Sequence, residues 1–145
     1  MRTAVVVLAI AAAAAFATPV HAQVERSGPV KVVYHVNENN AQAQNALRNI
    51  RNHLTADPSA KIVVVTHAGG VQWLLDGAVD GNGAPFEATV QELKAKGVDF
   101  RICAFTLERN KIDPKRVIPE ATLVPSGVAE VSRLQFKEGY AYLRP

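Results

Sequence analysis

The chain has 145 residues, 48% of them hydrophobic and 20% charged, with 16 Lys and Arg against 13 Asp and Glu and a formal charge of +3. That excess is too small for a nucleic-acid or membrane-surface binder, and no basic cluster with interleaved aromatics exists. A single cysteine rules out an internal disulfide, so the fold must rest on its apolar core, with any further help coming from oligomerisation.

Met1 to Ala22 reads as a targeting segment. Arg2 supplies a short positive start, and Ala4 to Ala17 is an apolar run, long for a signal peptide but short for a membrane span. Thr18 and Pro19 break the run before the small-x-small pattern Val20-His21-Ala22. Cleavage after Ala22 would leave 123 residues beginning at Gln23, and the loss of Arg2 would lower the formal charge to +2. That length suits one domain with a real core. The alternative is an apolar run retained as an N-terminal anchor. The alanine-rich run points to a bacterial, periplasmic protein with no membrane contact once the signal is removed.

Gln23 to Pro29 is polar and reads as a lead-in. Lys31 to Val36, KVVYHV, is almost continuously apolar, as a strand covered on both faces would be. The asparagines of Asn37-Glu38-Asn39-Asn40 can cap a helix, and Ala43, Leu47, Ile50 and Leu54 then follow at helical spacing. Asp57-Pro58 stops that helix, and Lys61 to Thr66, KIVVVT, is the second strand. Strand, helix and strand together predict a right-handed crossover between parallel strands. Val71 to Ala78 is expected to be helical, with Trp73, Leu74 and Leu75 seeking cover. Asp80-Gly81-Asn82-Gly83 is a turn, and Pro85 suits the first position of a helix carrying Phe86, Val90 and Leu93. Gly97 ends it. The third strand runs from Val98 to Cys103, and Ala104 to Arg109 can open a helical turn. Ile112 to Pro119 holds two prolines and a short turn, and Thr122 to Val124 is a fourth strand. Ser126 can cap a helix with Val128, Val131 and Leu134 that ends near Gly139, and Tyr140 to Leu143 can form a last strand. The alternation predicts a three-layer α/β/α sandwich with a mostly parallel sheet of about five strands.

In such a sheet ligands bind at the carboxyl ends of the strands. His35 lies near the end of the first strand, His67 just past the second, and Cys103 at the end of the third. A thiol where a strand gives way to a helix is favoured as the thiolate, its reactive form, and is expected to ionise below the ordinary thiol value. A neighbouring imidazole would add to this. One thiol and two imidazoles also suit zinc or copper, but no dense ligand motif is present and no metal site is assigned. The bland readings are a cysteine packed as a small hydrophobe, a half-buried His35 and a loop His67. The glycines of His67-Ala68-Gly69-Gly70 let the backbone turn sharply or its amides approach a ligand; no phosphate-loop lysine follows. His53 reads as a helix-end residue, and Trp73 as core or subunit interface.

KVVYHV, the helix ending NHLTADP, KIVVVTHAGG, the helix ending KAKGVDF and then RICAFTL resemble the DsrE family. PSGVAEVSRLQFKEGYAYL is similar to the closing helix and strand of its exported branch. The resemblance spans about Pro29 to Pro145. It implies an α/β/α sandwich assembled as a trimer or hexamer, and a sulfur-relay activity in which a cysteine after a central strand carries a persulfide. Cys103 matches that position, and His35 and His67 would be pocket residues. Phe105 and Leu107 are bulky where relay members favour small residues, and the known relay is cytoplasmic. Two functions follow as expectations. One is a periplasmic sulfur carrier, a sulfurtransferase holding persulfide on Cys103, with Gly69 and Gly70 beside the substrate, donor and acceptor proteins as partners, and no organic cofactor. The other is a non-catalytic homo-oligomeric module binding a small ligand or metal at the same edge.

Overall fold

The computed structural model describes residues 27–145. The expected signal segment and its cleavage site lie outside these residues. The chain forms a five-stranded, wholly parallel sheet from β1 (Lys31–Val36), β2 (Lys61–Thr66), β3 (Asp99–Cys103), β4 (Ala121–Val124) and β5 (Ala141–Leu143), in the order β4-β3-β2-β1-β5. Four helices connect or flank the strands: α1 (Asn40–Ala56), α2 (Phe86–Ala95), α3 (Ala104–Arg109) and α4 (Gly127–Glu138). The α/β sandwich expected from the alternation is therefore present.

Local chemistry explains where the helices begin and end. Asn39 caps α1 by accepting from the Gln42 amide at 3.0 Å. Gln42 reaches back to accept from the amides of Asn37 at 2.8 Å and Glu38 at 2.9 Å. This reciprocal arrangement ties down the loop between β1 and α1. Ser126 caps α4 through the Ala129 amide, and Gly139 ends α4 with a left-handed φ of 73° that suits glycine. Cys103 is itself the extended residue from which α3 starts.

The two faces of the sheet are covered unequally. On one face Val32, Tyr34, Val36, Ile62, Val64, Phe100 and Ile102 pack against α1, α2 and Leu107. Trp73 sits fully buried among them, with edge-on contacts to Phe86 at 6.0 Å and Phe100 at 5.9 Å between ring centroids. The other face carries a smaller cluster, in which Val33, Val63 and Val65 meet only Val131 and Leu134 of α4, with Tyr140 at its margin.

One element differs from expectation. The helix expected over Val71 to Ala78 is a 3₁₀ helix over Ala68–Leu74, followed by extended and turning backbone. It starts early because Gly69 and Gly70 are pressed against the backbone of Val36 to Glu38, where a Cβ on either would collide. Its end is fixed by the following loop. The Ile118 amide donates to the Leu74 carbonyl at 3.0 Å, and the Asp76 amide to the Arg116 carbonyl at 2.7 Å. Trp73, Leu74 and Leu75 thus turn into the core of the single chain. Trp73→Ala is expected to lower the free energy of unfolding by about 3–5 kcal/mol, measured by urea denaturation. A loss under about 1 kcal/mol would show that the indole does not hold this face together.

Candidate functional site

The parallel register delivers the three expected side chains to one edge. Val36 lies opposite Thr66, and Thr66 opposite Ile102, so the ends of β1, β2 and β3 are level. His35 and His67 meet directly, with their Nε2 atoms 2.7 Å apart and ring centroids 4.8 Å apart. At that distance one Nε2 carries a proton and the other accepts it. His35 Nδ1 is 2.8 Å from the Tyr142 hydroxyl on β5. Cys103 stands on the other side of His67. The first residue of α4 is wedged between them: a Cβ on Gly127 would lie 3.0 Å from His67 Cβ and 3.3 Å from Cys103 Cβ. Glycine lets the helix start approach both, and any larger residue would push it away.

Electrostatics around the thiol favour its anion. Burial alone pushes the Cys103 thiol up, but the nearby Thr106 hydroxyl and the backbone amides of Gly127, Thr106 and Phe105 favour the anion and outweigh it; the thiol itself lies 3.9 Å from the Pro125 carbonyl, which also accepts from the Phe105 amide at 3.2 Å. The net shift is below the ordinary thiol value. Thr106 is buried and also accepts from the Ala68 amide at 3.1 Å, so one hydroxyl links the end of β2 to the thiol. Ala68 has a left-handed φ of 50°, a conformation unusual for a residue with a Cβ, and this hydrogen bond helps to hold it.

Both histidines are kept neutral at neutral pH. Burial, then the charge of His67, then that of Arg144 bring His35 from 6.5 down to about 4. Burial and the Arg109 guanidinium lower His67. Cys103, His67, Thr106, Arg109, Ser126 and Val128 line a cavity of about 310 Å³, with Phe105 exposed at its rim. A larger hollow of about 620 Å³ lies between Ser27–Lys31 and Phe136–Ala141, but no histidine or cysteine lines it. The chemistry therefore belongs to the smaller cavity. No group of three or more His, Cys, Asp or Glu among the described residues is placed to hold a metal ion, and no helix there is long and apolar enough to cross a membrane.

Gly69 and Gly70 are not beside the thiol cavity; the backbone they approach is that of Val36 to Glu38. His53 ends α1, as its position suggested, and its Nδ1 lies 3.0 Å from the Tyr34 hydroxyl. Thr106, Gly127, Arg109 and Tyr142 were not anticipated. Thr106 carried a local signal, being a hydroxyl three residues beyond the helix-starting cysteine. Tyr142 carried none, because its meeting with His35 depends on β5 adding beside β1.

A wholly parallel α/β sandwich with a thiol and paired imidazoles at the carboxyl edge defines the class of protein. The model of the DsrE/DsrF-like family matches residues 30–145, and the chain belongs to that family. Among solved structures it is similar to MTH1491 of Methanobacterium thermoautotrophicum, a protein of unknown function, with 31% identity and a TM-score of 0.71 over 80% of this chain and 99% of that one. It shares the fold of the E. coli ychN protein, with 15% identity and a TM-score of 0.64 over 79% of this chain and 99% of that one. No curated protein matches the chain.

The lowered imidazoles make stability depend on acid. Below pH 6.5 the unfolded chain takes up a proton at His35 that the folded chain refuses until about pH 4. Stability from this source is complete above pH 6.5 and is lost as the pH falls toward 4. The urea midpoint should therefore drop across that interval and drop less in His35→Asn. Equal acid sensitivity in the two proteins would show that His35 is not held neutral.

Proposed function

We propose that the protein is a periplasmic sulfur carrier of the DsrE/DsrF-like family, with Cys103 as the carrying residue. The observation that supports this most is the place of Cys103, where β3 gives way to α3 at a cavity open at its rim, with the Thr106 hydroxyl and nearby backbone amides favouring the sulfur anion. Donors arranged in this way stabilise a sulfur anion before and after loading. The thiolate attacks the outer sulfur of a sulfane donor. A new S–S bond forms at Cys103, the donor's S–S bond breaks, and the departing sulfur takes the electron pair. Transfer to an acceptor thiolate repeats the same exchange, so no external oxidant and no organic cofactor is needed. The acceptor reaches the sulfur past Phe105 and Val128, both exposed at the rim.

The same reading includes export and self-association. Export rests on the Met1 to Ala22 pattern. Trp73 is spent in the core, so a trimer or hexamer would bury other apolar side chains away from the cavity rim: Leu123 and Phe136 are exposed, Phe136 to 90%. Mass spectrometry of the protein released by osmotic shock reads all three parts. The denatured mass should correspond to a chain starting at Gln23 and should gain one sulfur after polysulfide treatment, a gain absent in Cys103→Ser. The native mass should be a multiple of that chain. A retained Met1, no sulfur gain, or a monomer at micromolar concentration would overturn export, carriage or assembly respectively.

Thr106 gives a finer test. Thr106→Val removes a hydroxyl that favours the thiolate, so the thiol should ionise at higher pH. Iodoacetamide should then label Cys103 several-fold more slowly near neutral pH and equally fast at alkaline pH, while Thr106→Ser should stay close to wild type. Unchanged labelling in Thr106→Val would remove the hydroxyl from the account.

A further inference from the structure

Tyr142, His35 and His67 form an unbroken line of hydrogen bonds from the edge of the sheet to the thiol cavity. Tyr142 is exposed at 41%, its hydroxyl is 2.8 Å from His35 Nδ1, and His35 Nε2 is 2.7 Å from His67 Nε2. His67 then lines the cavity that holds Cys103. Among the described residues no other hydrogen bond competes for these ring nitrogens, and His67 Nδ1 has no hydrogen-bond partner. Three groups in series, each able both to donate and to accept, make a path along which a proton can hop by exchanging tautomers.

We propose that Tyr142, His35 and His67 are a proton relay between solvent and the Cys103 cavity, with Tyr142 and His35 acting as positioning residues for His67. The sulfur cargo rests on the carrier reading above, but the relay itself does not. In the resting arrangement His67 Nε2–H donates to His35 Nε2, His35 Nδ1–H donates to the Tyr142 oxygen, and the tyrosine hydroxyl donates to water. A proton that the Cys103 thiol sheds into the cavity is matched by one taken up at His67 Nδ1. The Nε2 proton passes to His35, the His35 Nδ1 proton to Tyr142, and the tyrosine proton to water. One proton enters and one leaves; no electrons move. Reprotonation of the thiol after unloading runs the line backwards and resets both tautomers.

The surroundings keep the line neutral, which a relay requires. Around His35 stand His67, Tyr142 and Arg144, the last paired with Glu38. Around His67 stand His35, Arg109 and Cys103, while α4 presents the uncharged Gly127. Among the described residues no carboxylate is bonded to either ring, so none there traps the imidazolium form. Tyr142 does not need to ionise, since it only exchanges one proton for another.

The test uses full-length protein with ¹⁵N-labelled histidine and compares wild type, Tyr142→Phe and His35→Asn. At neutral pH the wild type should show one protonated and one bare Nε2, and Tyr142→Phe should scramble this into a mixture of tautomers. Sulfur loading from polysulfide, followed by mass, should slow several-fold in both variants at mildly acidic pH, where the thiol must shed a proton first. The rates should converge with wild type at alkaline pH, where the thiolate is already formed. A merely structural role would lower loading equally at all pH values, and that outcome would overturn the proposal, as would wild-type rates throughout. If the wild type takes up no sulfur, the carrier reading alone falls, and the spectra decide the relay: tautomers unaffected by Tyr142→Phe would refute it.

Discussion

The level pairing of β1, β2 and β3 is the constraint on which the site depends. Side chains alternate between the two faces of a strand, so residues in register share a face. Val33 and Val63 are paired and both face α4. The same parity carries His35, Val65 and Arg101 to that face, and it continues to His67 and Cys103 beyond the paired residues. Val33 is also opposite Tyr142, which places the tyrosine on the same side. A slip of one residue in any of these pairings would send its chemical group into the large core instead. Thiol, imidazoles and phenol therefore share one face because of one shared register.

That constraint explains the division of labour between the faces. The face against α1 and α2 is filled by large apolar side chains, including Trp73, Phe100 and Ile102, and supplies most of the burial that holds the fold together. The face against α4 has little apolar material to offer. Its hold on the helix is completed by charge: Arg101 on β3 reaches both Asp99 and Glu130, and Glu130 is bridged at 2.8 Å by Arg133. Glu130 is nearly buried, at 12% side-chain exposure, so its two arginines are needed to offset its desolvation. This network and the Val131–Leu134 contact position the start of α4, and with it Gly127, against the thiol.

Much of this was legible in the chain because it is local. The period of apolar residues gave the strands and helices, the Asn39 and Ser126 caps and the Gly139 stop gave their limits, and the junction of β3 with α3 at Cys103 followed from spacing alone. Strand order was not legible, since it is set by which crossovers pack best, and Tyr142 stayed hidden behind it. The glycines at 69 and 70 were ambiguous for the same reason. A close approach is visible in sequence as a missing Cβ, but its partner is not, and here the partner is the β1–α1 loop. The segment around Trp73 was misread as a regular helix because its apolar density was read without that contact.

The loop contact links the two halves of the molecule's logic. Gln42 fixes Asn37 and Glu38 from the α1 side, and Gly69 and Gly70 lean on the same backbone from the β2 side. Ala68, immediately before them, is held in its left-handed turn by Thr106, whose hydroxyl also faces the thiol. His67 lies one residue earlier. The position of His67 is thus set by the β1–α1 loop on one side and by the residue that tunes Cys103 on the other. Imidazole and thiolate are adjusted by one rigid corner, so a change that loosens the glycine contact would disturb the thiol without touching any group bonded to it.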